Sequence, residues 1–234
     1  MLKKSTGNMY EFVTHTWNPI VGRCYHNCSY CYVSKYGNEV STIQRFNKEY
    51  LDDDFGTGNF IFVGSGIDLF ADDVNDDWIR MVLDKCNQDN QSLFGSKNKF
   101  LFQSKNPQRI LQYIDHPVFK DSVVCTTIET NRYYPEIMCN TPSMEDRARA
   151  MNEIANKGIE TYLTIEPIMK FDKDELVHLI RLCKPMQVNI GANTNSRVPL
   201  PEPSLEDILS LIRDIKDECK VEIKSNMKRI NNEL

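Results

Sequence analysis

Three cysteines, Cys24, Cys28 and Cys31, fall within the stretch GRCYHNCSYCYV that runs from Gly22 to Val33, with His26 and three tyrosines among them. Thiols so closely spaced suit a disulfide knot, a zinc site or an iron–sulfur cluster. The other five cysteines, Cys86, Cys125, Cys139, Cys183 and Cys219, are scattered singly, which is not the density of a disulfide scaffold and fits a reducing cytoplasm. A closed zinc site needs four ligands and usually draws them from two separated pairs. Here the fourth would have to be His26 or His15, and there is no second Cys or His pair. Three thiolates on one loop suit a cubane cluster, in which the protein ligates three irons and leaves the fourth open to a cofactor.

Such a loop needs a frame. Short β-rich runs occur at 11–17, 59–64, 99–104, 122–128, 160–165 and 186–191, with a weaker one at 220–224. Helix patterns lie between them at 76–89, 107–115, 143–157, 173–183 and 204–219, with a less regular one at 41–51. Several strands are nearly continuous apolar runs, as parallel strands buried on both faces require. Strict strand–helix alternation predicts an α/β fold with right-handed crossovers. Pro107 suits a helix start, Ser143 and Ser204 suit N-caps, and Gly158 a helix end. With no repeat or linker, the expectation is one domain over 1–234, a partial (β/α)6 TIM-like barrel with a short extra C-terminal strand. Chemistry in such folds gathers at the C-terminal ends of strands, where the cysteine loop leaves the first one.

Composition narrows the partners. The chain carries a net charge of -5 and is 41% hydrophobic and 26% charged; no apolar run is long enough to span a membrane, and no charged-then-apolar leader follows the first residues. A soluble cytoplasmic protein is expected, without a general coat of phosphate-binding cations.

The spacing Cys-x3-Cys-x2-Cys, with an aromatic residue before the last cysteine and following the first strand of a β/α barrel, resembles the radical SAM signature. The segments THTWNPIVG, IFVGSGIDLFADDVNDDWIRMVL, FLFQSKNPQRI and YLTIEPI resemble, in that order, a compact group of radical SAM-like proteins carried by phages and bacteria, mostly of undefined function. Members of that group often space the first two cysteines more widely, so the chemistry here need not be theirs. The resemblance implies a [4Fe-4S] cluster on Cys24, Cys28 and Cys31 that binds S-adenosylmethionine at its open iron and passes it one electron. The C5'–S bond then breaks, giving methionine and a 5'-deoxyadenosyl radical that takes a hydrogen atom from the substrate. A reducing donor such as flavodoxin or ferredoxin would supply the electron.

The same resemblance suggests cofactor contacts. Gly64-Ser65-Gly66 matches a glycine-rich turn that meets the methionine amino group, where glycine allows close backbone approach; a plain strand-end turn is the bland alternative. Asp68 follows on that loop, facing cofactor or substrate. Tyr30 matches an aromatic near the adenine that also shields the cluster. Gln103 and Lys105 could reach the cofactor carboxylate. Thr127, Glu129 and Glu166 end strands where a carboxylate suits ribose hydroxyls, and Asn189, Gly191 and Asn193 on the sixth strand could meet adenine.

Other features read as structure. Asp72, Asp73, Asp76 and Asp77 open a helix and suit capping and the dipole. The five single cysteines, His15, His116, Trp17 and Trp78 suit packing. Lys97, Lys99, Lys105, Arg109, Lys224, Lys228 and Arg229 are local cations that could bind phosphate, which with the phage resemblance points to a nucleotide or nucleic-acid substrate. Two other readings stay open: a zinc- or cluster-binding interaction module without turnover, and a barrel that binds S-adenosylmethionine for non-radical methyl transfer.

Overall fold

The computed structural model describes residues 1–33, 43–90 and 96–230. Among the described residues there are ten strands: β1 (Lys3–Lys4), β2 (His15–Trp17), β3 (Ile20–Val21), β4 (Arg45–Phe46), β5 (Phe60–Val63), β6 (Lys99–Gln103), β7 (Ser122–Thr127), β8 (Glu160–Ile165), β9 (Gln187–Ile190) and β10 (Lys220–Ile223). Eight form one sheet in the order β1-β2-β5-β6-β7-β8-β9-β10. From β2 to β10 every neighbouring pair is parallel, and only β1 runs antiparallel. The expected six-stranded partial barrel is therefore present, extended by the C-terminal strand β10 at one edge and by β1 at the other. Sequence patterning missed β1 because two exposed lysines carry no apolar signal.

The helices are α1 (Asp76–Asp89), α2 (Pro107–Ile110), α3 (Pro135–Met138), α4 (Met144–Asn156), α5 (Lys173–Cys183) and α6 (Leu205–Ile215). Ser143 caps α4 by accepting from Asp146 N, and Ser204 caps α6 in a reciprocal capping box with Asp207, the geometry that satisfies free amides at a helix start. The cap of α1 is Asn75, which accepts from Asp77 N; Asp76 and Asp77 fill the first turn. The expected helix over 107–115 is shorter: α2 gives way to a 3-10 turn at Leu111–Tyr113. In the described part of the expected helix at 41–51, residues 43–51, no α-helix is formed. Residues 41–42 lie outside the described residues, Arg45–Phe46 pairs with β3, and a 3-10 helix covers Lys48–Asp52. Asn47 N donates to Pro19 O at 2.8 Å and Phe46 stacks on Trp78, so long-range pairing overrides local helix propensity there.

Alternation along the strands sorts two cores. Ile61, Val63, Phe100, Phe102, Val124, Leu163, Ile165, Val188 and Ile190 join the large core that includes buried helix residues; Phe62, Leu101, Val123 and Cys125 face the interior with Tyr10 and Val13. The interior is filled by the segment after β1: Phe12 stacks on Tyr10 at 5.3 Å and packs against Phe60 and Tyr162. Trp17, Cys86, Cys125 and Cys183 are buried as packing residues. No two of the eight cysteines form a disulfide. Among the described residues no helix is long and apolar enough to cross a membrane.

Candidate functional site

The C-terminal ends of the parallel strands surround a cavity of about 930 Å³, toward the upper end of small-molecule sites. Its wall combines the cysteine loop, Gly64–Asp68 after β5, Gln103–Lys105, Thr127, Glu166–Pro167 after β8, Ala192–Thr194 after β9, Lys224 after β10, and the segment Thr6–Tyr10.

Cys24, Cys28 and Cys31 all line it. Burial pushes the Cys24 thiol up to about 12 and also raises Cys28, so a metal bound there would have to displace thiol protons. Among the described residues no group of three or more His, Cys, Asp or Glu side chains is gathered as a single-ion site. His26, one conceivable fourth zinc ligand, is instead buried with Nε2 2.8 Å from Asp68 Oδ2. His15, the other, holds Thr14 Oγ1 at 3.0 Å.

Asp68 is an anchor. It also accepts from Ser104 Oγ at 3.0 Å, Lys105 N at 2.8 Å and Phe70 N at 2.9 Å. Burial alone would raise its carboxyl, but the His26, Lys105 N–H and Ser104 bonds hold it below the usual range.

A second buried carboxylate lies past β7. Tyr30 Oη donates to Glu129 Oε1; Lys105 Nζ donates to the same oxygen and, at 2.7 Å, to Tyr30 Oη. On the other side Arg147 Nη1 donates to Glu129 Oε2 at 2.9 Å and to Thr127 O at 2.8 Å, while its remaining nitrogens bond Pro142 O and Thr141 Oγ1. Glu129 and Arg147 side chains are wholly buried. Against burial, which favours the neutral acid, Lys105 and Arg147 hold the Glu129 carboxyl down at about 2.

The glycine-rich turn is braced from β2's loop: Asn18 Oδ1 accepts from Gly66 N at 2.9 Å, and its amide exchanges bonds with the Ser65 hydroxyl at 3.0 and 3.2 Å. Tyr32 Oη donates to Ser65 O at 2.6 Å. Gly64, at φ +79°, is the residue the turn demands, since a Cβ there would lie 3.1 Å from Ile67 O; at Gly66 a Cβ would meet nothing nearer than Asn18 Oδ1 at 3.6 Å.

Gln103 and Thr127 form a polar row, with Tyr10 Oη donating to Gln103 Oε1 at 2.8 Å and Gln103 Nε2 to Thr127 Oγ1 at 3.3 Å. Glu166 accepts from Asn8 Nδ2 and Asn226 Nδ2, both at 2.8 Å, and from Lys224 Nζ at 2.6 Å. Lys224 also donates to Asn8 O at 2.8 Å and sits 4.4 Å over the Tyr10 ring. These contacts tie the segment after β1 to the strand ends at the other edge of the sheet.

The structure thus brings the three cysteines, Tyr30, Gly64, Ser65, Gly66, Gln103, Lys105, Thr127 and Glu166 to one cavity. Glu129 lies behind that wall. Asn189 lies deeper in the barrel: its side chain is buried between Gln187 Nε2 at 2.8 Å and Leu163 O at 3.3 Å. The register explains this, because Asn189 pairs with Thr164, below the level of Glu166. Gly191 stands at Glu166's level, and a Cβ there would lie 2.7 Å from the Glu166 carboxyl carbon.

Several cations read as phosphate contacts are committed to carboxylates or carbonyls instead. Lys97 holds Asp121 at 2.8 Å, Lys99 holds Glu160 at 2.5 Å and Arg229 pairs with Glu202. Arg109 bonds Ala71 O, Val74 O and Asp76. His116, expected to be structural, has Nε2 3.1 Å from Asp84 Oδ1. Sequence reasoning did not find Asn18, Arg147, Asn8 or Asn226; each is a single polar residue whose partner is remote in the chain.

No family model matches the chain, and no curated protein does. Solved structures do. A spore photoproduct lyase variant aligns over 94% of this chain and 79% of its own at TM-score 0.68 and 12% identity. This is the same fold. Another variant of that lyase, with bound AdoMet and dinucleoside spore photoproduct, aligns at TM-score 0.58 over 92% of this chain and 64% of its own, again at 12% identity. Streptococcus suis SuiB bound to S-adenosylmethionine aligns at TM-score 0.52 and 11% identity, with 89% of this chain spanning 46% of SuiB.

Proposed function

We propose that the chain is a radical SAM enzyme. One observation carries the reading: Cys24, Cys28 and Cys31, in Cys-x3-Cys-x2-Cys spacing on the loop leaving β2, line the same cavity as Gly64-Ser65-Gly66 after the adjacent parallel strand β5. The fold shared with spore photoproduct lyase and SuiB, both radical SAM enzymes, supports it. The donor set fits a [4Fe-4S] cluster: three thiols on one loop, all lining the same cavity. Cys24, Cys28 and Cys31 would hold that cluster, which when bound would supply the one-electron reduction of S-adenosylmethionine on which hydrogen abstraction from a substrate depends.

The chain's own residues supply binding, orientation and exclusion of water. The turn at Gly64-Ser65-Gly66, held by Asn18 and Tyr32, presents backbone to the methionine end of the cofactor. Glu166, fixed by Asn8, Lys224 and Asn226, offers its carboxylate to ribose hydroxyls. Gln103 and Thr127 add polar contacts, and Ala192–Thr194 flank the adenine. Tyr30 covers the cysteine loop. Glu129 acts through Tyr30 and Lys105 and touches no ligand, and Asn189 supports β9. A low-potential donor such as flavodoxin or ferredoxin provides the electron.

The substrate contains a nucleoside. Binding of a dinucleoside by a protein of the same fold supports this, as does the charge of the cavity. Lys105 and Lys224 are both engaged by glutamates, so neither ammonium is left for a phosphate, which suits base and sugar inside the cavity. Exposed Arg23, bonded to the neutral Asn27 side chain at 2.7 Å, is placed at the cavity's edge to meet a phosphate outside it. The test is anaerobic turnover with dithionite and S-adenosylmethionine, with and without dinucleosides, oligonucleotides and peptides. 5'-Deoxyadenosine formation that nucleosides stimulate supports the proposal. S-adenosylhomocysteine alone would favour methyl transfer, and stimulation by peptides only would discard the nucleoside substrate.

A further inference from the structure

The cysteine loop has no regular secondary structure from Cys24 to Cys31; its internal backbone bonds are the turn contacts Asn27 N to Cys24 O at 3.3 Å and Cys31 N to Cys28 O at 3.1 Å. A segment so weakly self-supported must be held from outside if its thiols are to present one geometry. Of its non-cysteine side chains, His26 and Tyr30 are buried, at 2% and 8% exposure. They are interleaved with the ligating cysteines, and each ends on a carboxylate from a different strand loop. His26 meets Asp68 after β5; Tyr30 meets Glu129 after β7. Lys105, after the intervening β6, joins the two, giving its backbone N–H to Asp68 at 2.8 Å and its ammonium to Glu129 and Tyr30.

We propose that Asp68 and Glu129 are positioning residues that clamp the cysteine loop at His26 and Tyr30, fixing its ligating shape before a cluster arrives, with Lys105 locking the two grips together. The inference rests on the radical SAM reading for its purpose, yet the clamp is a property of the cluster-free chain. It also reassigns Lys105. Its ammonium is spent on Glu129 and Tyr30, so it is a strut of the loop and leaves the cofactor carboxylate to the Gly64–Gly66 turn. Preorganisation of this kind lowers the ordering cost that binding would otherwise carry, and holds a constellation through supporting hydrogen bonds.

The test uses variants that cut only the loop side of each grip, so that the barrel-side bonds survive. In Tyr30→Phe, Glu129 keeps Lys105 and Arg147; in His26→Phe, Asp68 keeps Ser104 and the Lys105 amide. Hydrogen exchange of the cluster-free protein is read over residues 24–31. At least tenfold faster exchange there in each variant, with β7 and β8 unchanged, is expected, and His26→Gln, which keeps a donor toward Asp68, should restore much of the protection. After anaerobic reconstitution the same two variants should lose iron to a chelator at least threefold faster and give a broadened EPR signal when reduced. Wild-type loop exchange in both variants overturns the clamp. If the wild-type chain takes up no cluster, the radical SAM reading fails while loop exchange still decides the clamp.

Discussion

Replacing Glu129 by glutamine keeps the side chain's size and removes its charge, leaving Arg147 wholly buried without a counter-ion and Lys105 without its anionic partner. Breaking a buried pair from one side typically costs about 3–5 kcal/mol. The carboxyl itself gives a second route to the magnitude. Burial would raise it, yet Lys105, Arg147 and the Tyr30 bond hold it down at about 2, and against an ordinary glutamate this corresponds to roughly 3 kcal/mol at neutral pH. The sign follows from linkage: a carboxylate depressed in the folded state stabilises above its unfolded pKa and loses that contribution as pH falls toward the folded one. Urea unfolding of the cluster-free protein should therefore show Glu129→Gln less stable by about 3–5 kcal/mol at pH 7, with the gap closing between about pH 5 and pH 2 because glutamine does not titrate. A gap under about 1 kcal/mol, or one that stays constant across that range, would refute the buried-triad argument.

Three further substitutions check the geometry. Gly191→Ala drives a methyl group to 2.7 Å from the Glu166 carboxyl carbon; overpacking of about 1–3 kcal/mol should lower Tm by roughly 3–10 °C, and an unchanged Tm would mean Glu166 is not seated there. Gly66→Ala meets only the Asn18 side-chain amide, Oδ1 at 3.6 Å and Cγ at 3.9 Å, and should hold Tm within about 3 °C of wild type. Arg109→Ala strands the Ala71 and Val74 carbonyls and should cost about 2–4 kcal/mol in thermal unfolding while moving oligonucleotide affinity by less than about twofold; a large affinity loss with an intact Tm would make Arg109 a phosphate contact after all.

Strand order, the loop that carries the cysteines and the turn beside it were legible because each depends on local pattern: apolar runs, a glycine cluster at a strand end, and thiol spacing. Depth along a strand was not. Glu129, Glu166 and Asn189 share the inward-facing parity of their strands, but only register with neighbouring strands sets Asn189 beside Thr164 and leaves Gly191 beside Glu166. Pairings across long chain separations were equally hidden, as with Asn8 and Glu166, or His26 and Asp68. Arg147 looked like any charged residue on an amphipathic helix, and its burial follows from α4 placing it behind β7, where Thr127 O and Glu129 wait for a donor. The stretch at 45–52 misled because its pairing with Ile20–Val21 is non-local.

The central claim is most directly tested by anaerobic reconstitution followed by reduction in the presence of S-adenosylmethionine. Wild-type protein should hold about four irons and four sulfides and release 5'-deoxyadenosine and methionine. The triple variant Cys24→Ala, Cys28→Ala, Cys31→Ala should hold neither iron nor activity. Full iron content in the triple variant, or a loaded wild-type protein that never forms 5'-deoxyadenosine, would contradict the account.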